Sequence, residues 1–293
     1  MRTDYLICAL VLASMLVNCA FGQSETAFGE RQAVGKITNG SINEASGLVA
    51  SGENPRYFWT HNDSGDKARI FLIDDSANHK KTYYLQGIVA HDWEDIGMME
   101  RQGTHYLIVG DIGDNGAKRR SITIHVFEEP KLVDHSPTVD TIPKNKIASF
   151  TLKYEDGPRD AESLFFDPLD GRLYLISKRE PAVGVYWTDL PDVPRDTLIL
   201  RKTASLPLTF ITAADISVDG RELLMKNLLG VFYWTRRPGE SVPQMLSRPG
   251  IRLPYLPEPQ GEAIAFSRDG KSYYTLSEKA FGMDVILYFY KRL

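Results

Sequence analysis

Cysteine is almost missing from this chain: there are two, Cys8 and Cys19, and both fall within the first 19 of 293 residues. Everything after them lacks disulfides, a thiol nucleophile and a thiolate metal site. A dominant charge is missing as well. With 34 Lys and Arg against 38 Asp and Glu, the net charge is −4, which excludes the basic footprint of a nucleic-acid or anionic-membrane binder. The one long apolar run, Leu6 to Val17, is too short for a comfortable membrane span, so no integral membrane segment is expected in the mature chain. Helical periodicity is scarce too. Outside that run no window keeps apolar residues at i, i+3, i+4 and i+7 for three turns. Walker, dinucleotide, His-Glu-x-x-His, paired-Cys and Gly-x-Ser-x-Gly signatures do not occur.

What is present begins with a leader. Arg2, the apolar run and the small residues ending Ala20-Phe21-Gly22 read as a signal peptide over residues 1–22, cleaved before Gln23. Residues 23–293 then form a single domain, exported to the periplasm or the extracellular space. A lipid-anchored alternative through Cys19 rests on Leu16-Val17-Asn18-Cys19, although Asn18 fits poorly before a modified cysteine. Composition is that of a globular protein with a full core: 43% hydrophobic, 25% charged and 11% aromatic. The expectation is a monomer.

A motif recurs at intervals of roughly 50 residues. Its openings are Ala45-Ser46-Gly47-Leu48, Trp93-Glu94-Asp95-Ile96, Ala161-Glu162-Ser163-Leu164, Ile211-Thr212-Ala213-Ala214 and Gly261-Glu262-Ala263-Ile264. After each comes a turn, Asp170-Gly171, Asp219-Gly220 and Asp269-Gly270 among them, and a β-rich run. Third strands follow at Arg69 to Ile73, Ile122 to Phe127, Val183 to Trp187, Val231 to Trp234 and Val285 to Tyr290. Fourth strands are expected at Lys81 to Leu85, Ile147 to Tyr154, Thr197 to Lys202 and Gln244 to Ser247. The fifth unit ends without a fourth strand, and Gln32 to Thr38 stands alone before the first. Pairing the two closes a ring and hides its edges. The predicted fold is all-β, a five-bladed β-propeller closed by an N-terminal strand. Six blades are the alternative if residues 130–146 hide an extra sheet.

In a propeller, the starts of first strands and the ends of second strands share one face. The first set holds Glu44, Asp92, Glu94, Asp95, Asp160, Glu162 and Glu262. The second holds His61 to Asp66, Asp111 to Asn115, Lys178, Arg179, Lys226 and Glu278. Convergent carboxylates suit a hard cation such as Ca²⁺, and Lys and Arg suit an anionic group. Glutamates crowded on one axis repel one another, so a metal accounts for them economically. His61 and His91 are candidate general bases. Polar channels and Asn/Asp/Gly turns also arise with no ligand at all.

The stretches EASGLVAS (44–51), HNDSGD (61–66), DWEDIG (92–97), GDIGDN (110–115), DAESLFFDP (160–168), TAADIS (212–217) and QGEAIAF (260–266) resemble a family of exported bacterial β-propeller proteins of poorly defined function. The openings also resemble phytase-related, esterase-like propellers and, more loosely, calcium-activated nucleotidases and paraoxonase-type lactonases. Those resemblances imply an axial Ca²⁺ and hydrolysis of a phosphate or ester bond. On that basis Glu94, Glu162 and Glu262, with Asp63 or Asp111, are expected to bind the metal. Glu162, His61, Lys178 and Arg179 are expected to act on a small anionic phosphoester or ester. Ser46 and Thr212 depart from Glu in this column and leave room for water ligands. The competing expectation is a non-catalytic propeller that binds a carbohydrate or a cell-surface partner.

Overall fold

The computed structural model describes residues 27–133, 135–279 and 282–293, so the leader and Cys19 lie outside the described residues. After β1 (Gln32–Lys36) the chain forms five successive units. The first is β2 (Ala45–Ala50), β3 (Tyr57–Asn62), β4 (Arg69–Asp74) and β5 (His79–Leu85). The second is β6 (Trp93–Arg101), β7 (Thr104–Asp111) and β8 (Ile122–Glu128), then β10 (Ala148–Tyr154) after the excursion β9 (Val139–Ile142). The third is β11 (Ala161–Asp167), β12 (Arg172–Ser177), β13 (Val183–Asp189) and β14 (Leu198–Leu206). The fourth is β15 (Ile211–Ile216), β16 (Glu222–Asn227) and β17 (Gly230–Thr235), with α1 (Val242–Leu246) preceding β18 (Ile251–Leu253). The fifth is β19 (Gly261–Phe266), β20 (Ser272–Ser277) and β21 (Ile286–Lys291).

Within each unit, sequential strands pair antiparallel. The N-terminal strand closes the last unit: β1 pairs antiparallel with β21, Gln32 opposite Phe289 and Lys36 opposite Ile286. Two outer edges are joined rather than open. Strand β10 runs parallel to β14 and fuses the second and third units into one eight-stranded sheet. Among the described residues of 130–146 there is one short strand, β9, parallel to β5 as a fifth strand of the first unit. Both joins satisfy backbone groups that an exposed edge would leave unpaired.

The inner strands β2, β6, β11, β15 and β19 pack in cyclic order, the last against the first. Apolar side chains fill the space between neighbouring units in five clusters. Trp59 and Trp93 lie between the first two units, Tyr186 and Leu164 between the second and third, and Phe165 and Trp234 between the third and fourth. Phe28 and Tyr273 lie between the fourth and fifth, and Phe58 and Tyr274 between the fifth and first. This is an all-β, propeller-like fold. Trp187 is half-buried and stacks under the Arg172 guanidinium at 3.8 Å.

The outer strand expected in the fourth unit is replaced by a short helix. Of Gln244 to Ser247, expected as a strand, the first three residues lie in helix α1 and Ser247 is its C-cap. Ser241 caps it, accepting from the Gln244 amide, and the Gln244 side chain accepts from the Ser241 amide in return. Its buried residues Val242, Met245 and Leu246 fall at i, i+3 and i+4, the spacing of one helical face. The fourth unit takes its outer strand from β18 instead.

Candidate functional site

The register of the first two strands slips once in every unit. In four of them the unpaired residue is the second of the motif: Glu94 between the pairs Trp93–Asp111 and Asp95–Gly110, and likewise Glu162, Thr212 and Glu262. A β-bulge of this kind adds one residue to one strand and re-aims it. The first unit slips one position later, at Gly47, whose φ is +70°. Ser46 is therefore paired with His61, and the bulge there carries no side chain. A Cβ on Gly47 would lie 2.8 Å from His61 Nε2 and 2.9 Å from the Ile96 nitrogen.

The two hydroxyl residues of the column have another task. Ser46 Oγ donates to the Glu94 carbonyl at 2.6 Å, and Thr212 Oγ1 donates to the Gly261 carbonyl at 3.1 Å. Each latches its inner strand to the next. Farther along the same strands, Asp95 accepts from the Leu164 amide at 2.9 Å and Asp215 from the Phe266 amide at 2.7 Å. Burial pushes the Asp215 carboxyl up to about 7.

Three overlapping groups of carboxylates converge at the other end of the channel: Asp63, Asp92 and Glu94; Asp63, Glu262 and Glu278; and Glu94, Asp160 and Glu162. Within each group the nearest oxygens lie within 4.8 Å of one another. Four of the five predicted metal ligands are thus brought together. Asp111 is not among them. It is buried, accepts from Arg119 at 2.7 Å and from the His91 amide at 3.0 Å, and anchors its loop. Asp92, Asp160 and Glu278 join in its place. Asp92 and Asp160 immediately precede an inner strand and Glu278 immediately follows a second strand, a placement readable from the repeat once its bounds are known.

Gly113 makes the convergence sterically possible. A Cβ there would meet the Glu94 carboxylate and would stand 2.5 Å from the Asp92 carboxyl carbon. In the neighbouring His61–Asp66 turn, Asn62 and Asp66 are structural: the Asn62 amide donates to Asp66 at 2.7 Å, and Asp66 holds Arg69 at 2.8 Å. Asp63 alone reaches the carboxylates.

Burial and mutual repulsion raise these acids. Burial, then the neighbouring Glu162, holds Glu94 well above the usual carboxylate range. Burial pushes Glu162 up to about 8 although Lys178 opposes it, and burial together with Glu262 pushes Glu278 up to about 9. Asp63 rises to about 6, mainly through burial. Lys178 pairs with Glu162 and lies 3.9 Å from Glu262. The other Glu162 oxygen, Oε2, is buried without a hydrogen-bond partner. Arg179 is exposed and bonds to Asp160 and Asn115 at the outer edge.

Two predicted mouth residues lie elsewhere. His61 is fully buried, its Nδ1 on the Asn62 carbonyl at 2.8 Å and its ring edge-on to Trp93, and burial lowers its pKa to about 4. It is an inter-unit core residue, out of reach of a substrate. Lys226 is likewise fully buried, bonded to the Gly261 carbonyl and set 5.0 Å over the Tyr255 ring.

The donor set is all oxygen, as a hard cation with six to eight ligands requires. The unpartnered Glu162 oxygen and the space kept clear by Gly113 fit such an ion. Fold and site together define a propeller-like protein with an acidic channel mouth countered by one buried lysine. No family model matches the chain, and no curated protein matches it. Among solved structures it is similar to a luciferin-regenerating enzyme, at 10% identity over 90% of this chain and 95% of that one, with a TM-score of 0.48. It is also similar to the PQQ-bound aldose sugar dehydrogenase of Streptomyces coelicolor, at 11% identity over 90% and 98%, with a TM-score of 0.47. Likenesses this distant assign no reaction. Among the described residues no helix is long and apolar enough to cross a membrane.

Proposed function

We propose that the protein is a Ca²⁺-dependent hydrolase of a small anionic phosphoester or ester, acting at the acidic mouth of a five-bladed propeller. The supporting observation is Glu162: buried, with one oxygen on Lys178 and the other free, inside a group shared with Glu94 and Asp160. Glu94, Glu162, Glu262 and Asp63 would hold the ion, with Asp92, Asp160 and Glu278 completing the oxygen set. Bound Ca²⁺ would supply Lewis-acid polarisation of the ester and a bound water of lowered pKa. Lys178, paired with Glu162, would hold the anionic group. Arg179 would meet the substrate at the outer edge. The blade count rests on five inner strands in cyclic contact and five inter-unit cores. Export through the 1–22 leader, with or without an anchor at Cys19, would place this site outside the cytoplasm, where Ca²⁺ sites of modest affinity can fill.

A binding propeller without turnover is the second reading, and the burial of His61 favours it, since the base named for the mouth does not reach it. Turnover separates the two. Mature protein assayed with Ca²⁺ and with chelator against p-nitrophenyl phosphate and acetate, nucleotides, phytate and lactones is expected to hydrolyse at least one in a Ca²⁺-dependent way. Glu162→Gln should lower that rate on the order of a hundredfold. A rate indifferent to chelator, or an unaffected Glu162→Gln enzyme, ends the hydrolase reading.

A further inference from the structure

The mouth is built from three sets of equivalent positions: the residue before each inner strand, the bulge residue within it, and the residue after the second strand. The first set supplies Asp92 and Asp160, the second Glu94, Glu162 and Glu262, and the third Asp63, Lys178 and Glu278. The fourth unit supplies Phe210, Thr212 and Leu228. No other unit is uncharged at all three. The fourth unit stands between the third, which provides Glu162 and Lys178, and the fifth, which provides Glu262. Its apolar sector therefore borders the acidic one directly.

Local geometry fixes that sector in place. Ile211 pairs with Asn227 at the strand ends, and Phe210 and Leu228 are the next residues beyond that last pair. The Asn227 amide donates to the Thr209 carbonyl at 3.2 Å and ties the two loops together. The Phe210 amide donates to the Lys178 carbonyl at 2.6 Å, so this residue is held against the lysine that pairs with Glu162. Phe210 nevertheless has φ +54° and is 43% exposed, and the adjacent Leu229 is 67% exposed. A bulky aromatic in the left-handed region is strained, a state that persists where the surrounding structure imposes it. The equivalent residue of the fifth unit, Gln260, shares the left-handed backbone at φ +42° but carries a polar side chain, so the exposed aromatic ring is particular to the fourth unit.

We propose that Phe210 and Leu228 form a subsite for the uncharged body of the substrate, so that the ester bound here carries an aryl group beside its anionic centre. This rests on the hydrolase reading for the word ester, but the subsite can be tested by binding alone. Phenyl phosphate and methyl phosphate share one anionic group and differ in the part that Phe210 would contact. Calorimetric titration of the Ca²⁺-saturated full chain is expected to show phenyl phosphate binding at least about tenfold tighter, the scale of discrimination an apolar pocket gives. Phe210→Gly suits the left-handed backbone and keeps the fold; it should cut the preference to within about twofold, and Leu228→Ser should reduce it in part. Ca²⁺ affinity should hold in both variants. Equal binding of the two phosphates, a preference that survives both substitutions, or no binding of either overturns the subsite. Preferential binding without hydrolysis would overturn the hydrolase reading and leave the subsite standing; hydrolysis of both phosphates at equal affinity would do the reverse.

Discussion

Gly113 shows how a single missing side chain shapes this mouth. Its sequence context, Gly110-Asp111-Ile112-Gly113-Asp114-Asn115, reads as a cation-binding loop, but its two aspartates are committed to other partners. Asp111 holds Arg119, and Asp114 accepts from the Arg119 amide at 2.7 Å. The loop contributes to the site the space at Gly113 and the Asp114 amide, which donates to Asp160 at 2.9 Å. Gly113→Ala should displace Glu94 or Asp92 and lower Ca²⁺ affinity by roughly tenfold to a hundredfold, the range seen for residues that orient metal ligands. Calorimetric Ca²⁺ titration checks this, and an unchanged affinity would remove Gly113 from the site. Ser46 and Thr212 make the complementary case. Each hydroxyl stitches inner strands, so Ser46→Ala and Thr212→Ala should each cost about 1 kcal/mol in urea unfolding with Ca²⁺ affinity intact. A loss of Ca²⁺ affinity in either variant would return these residues to the ligand set.

At the scale of elements, alternation and Asp-Gly turns made most strands legible, since a half-buried strand and a tight hairpin leave period-two and glycine marks. The bulges left no such mark. A slip of one residue is a property of pairing, and it moved the first-unit column from Ser46 to Gly47. Helix α1 was hidden because five residues are too few to show a helical period. Strand β1 is legible because the fifth unit lacks a fourth strand of its own, and its pairing with β21 closes that unit. Just before it, Phe28 is fully buried, edge-on to Tyr233 and Tyr273 with centroids 5.7 and 5.0 Å away, and its backbone bridges to Arg292. Phe28→Ala is expected to cost about 3–5 kcal/mol, the usual range for a buried aromatic, read as a lower urea midpoint. A cost under about 1 kcal/mol would mean that the closure contributes little.

For the whole molecule, the gathered acids make stability depend on pH, and the proposed cation is expected to couple to that dependence. Glu162 and Glu278 are pushed from the ordinary 4.5 up to about 8 and about 9. Between those limits the folded protein binds protons that the unfolded chain has released, so without a cation stability falls as pH rises from 4.5 towards 9. His61, lowered from 6.5 to about 4, acts with the opposite sign between 4 and 6.5, where only the unfolded chain takes the proton. Chelated protein should therefore lose thermal stability as pH rises from 6.5 to 9. Added Ca²⁺ should flatten that limb, and Ca²⁺ binding should release protons, seen as a binding enthalpy that varies with buffer ionisation. A flat, Ca²⁺-indifferent melting profile over this range would remove the cation from the mouth.

The repeat, its strands, the absence of disulfides and the pooling of charge at one end were determined by the sequence alone. Composition and periodicity are local properties, and each unit restates them. Which charges meet was decided only by the tertiary structure. Asp63 follows the second strand of the first unit and Asp111 ends that of the second, one position apart in the repeat, yet one joins Glu94 and Glu262 while the other is held by Arg119. Lys178 and Lys226 both lie near the ends of second strands, yet Lys178 pairs with Glu162 at the mouth while Lys226 is buried against Gly261. Such partnerships turn on distances of a few ångströms between segments far apart in the chain. They are fixed by a one-residue slip, a missing Cβ and the closure of the ring.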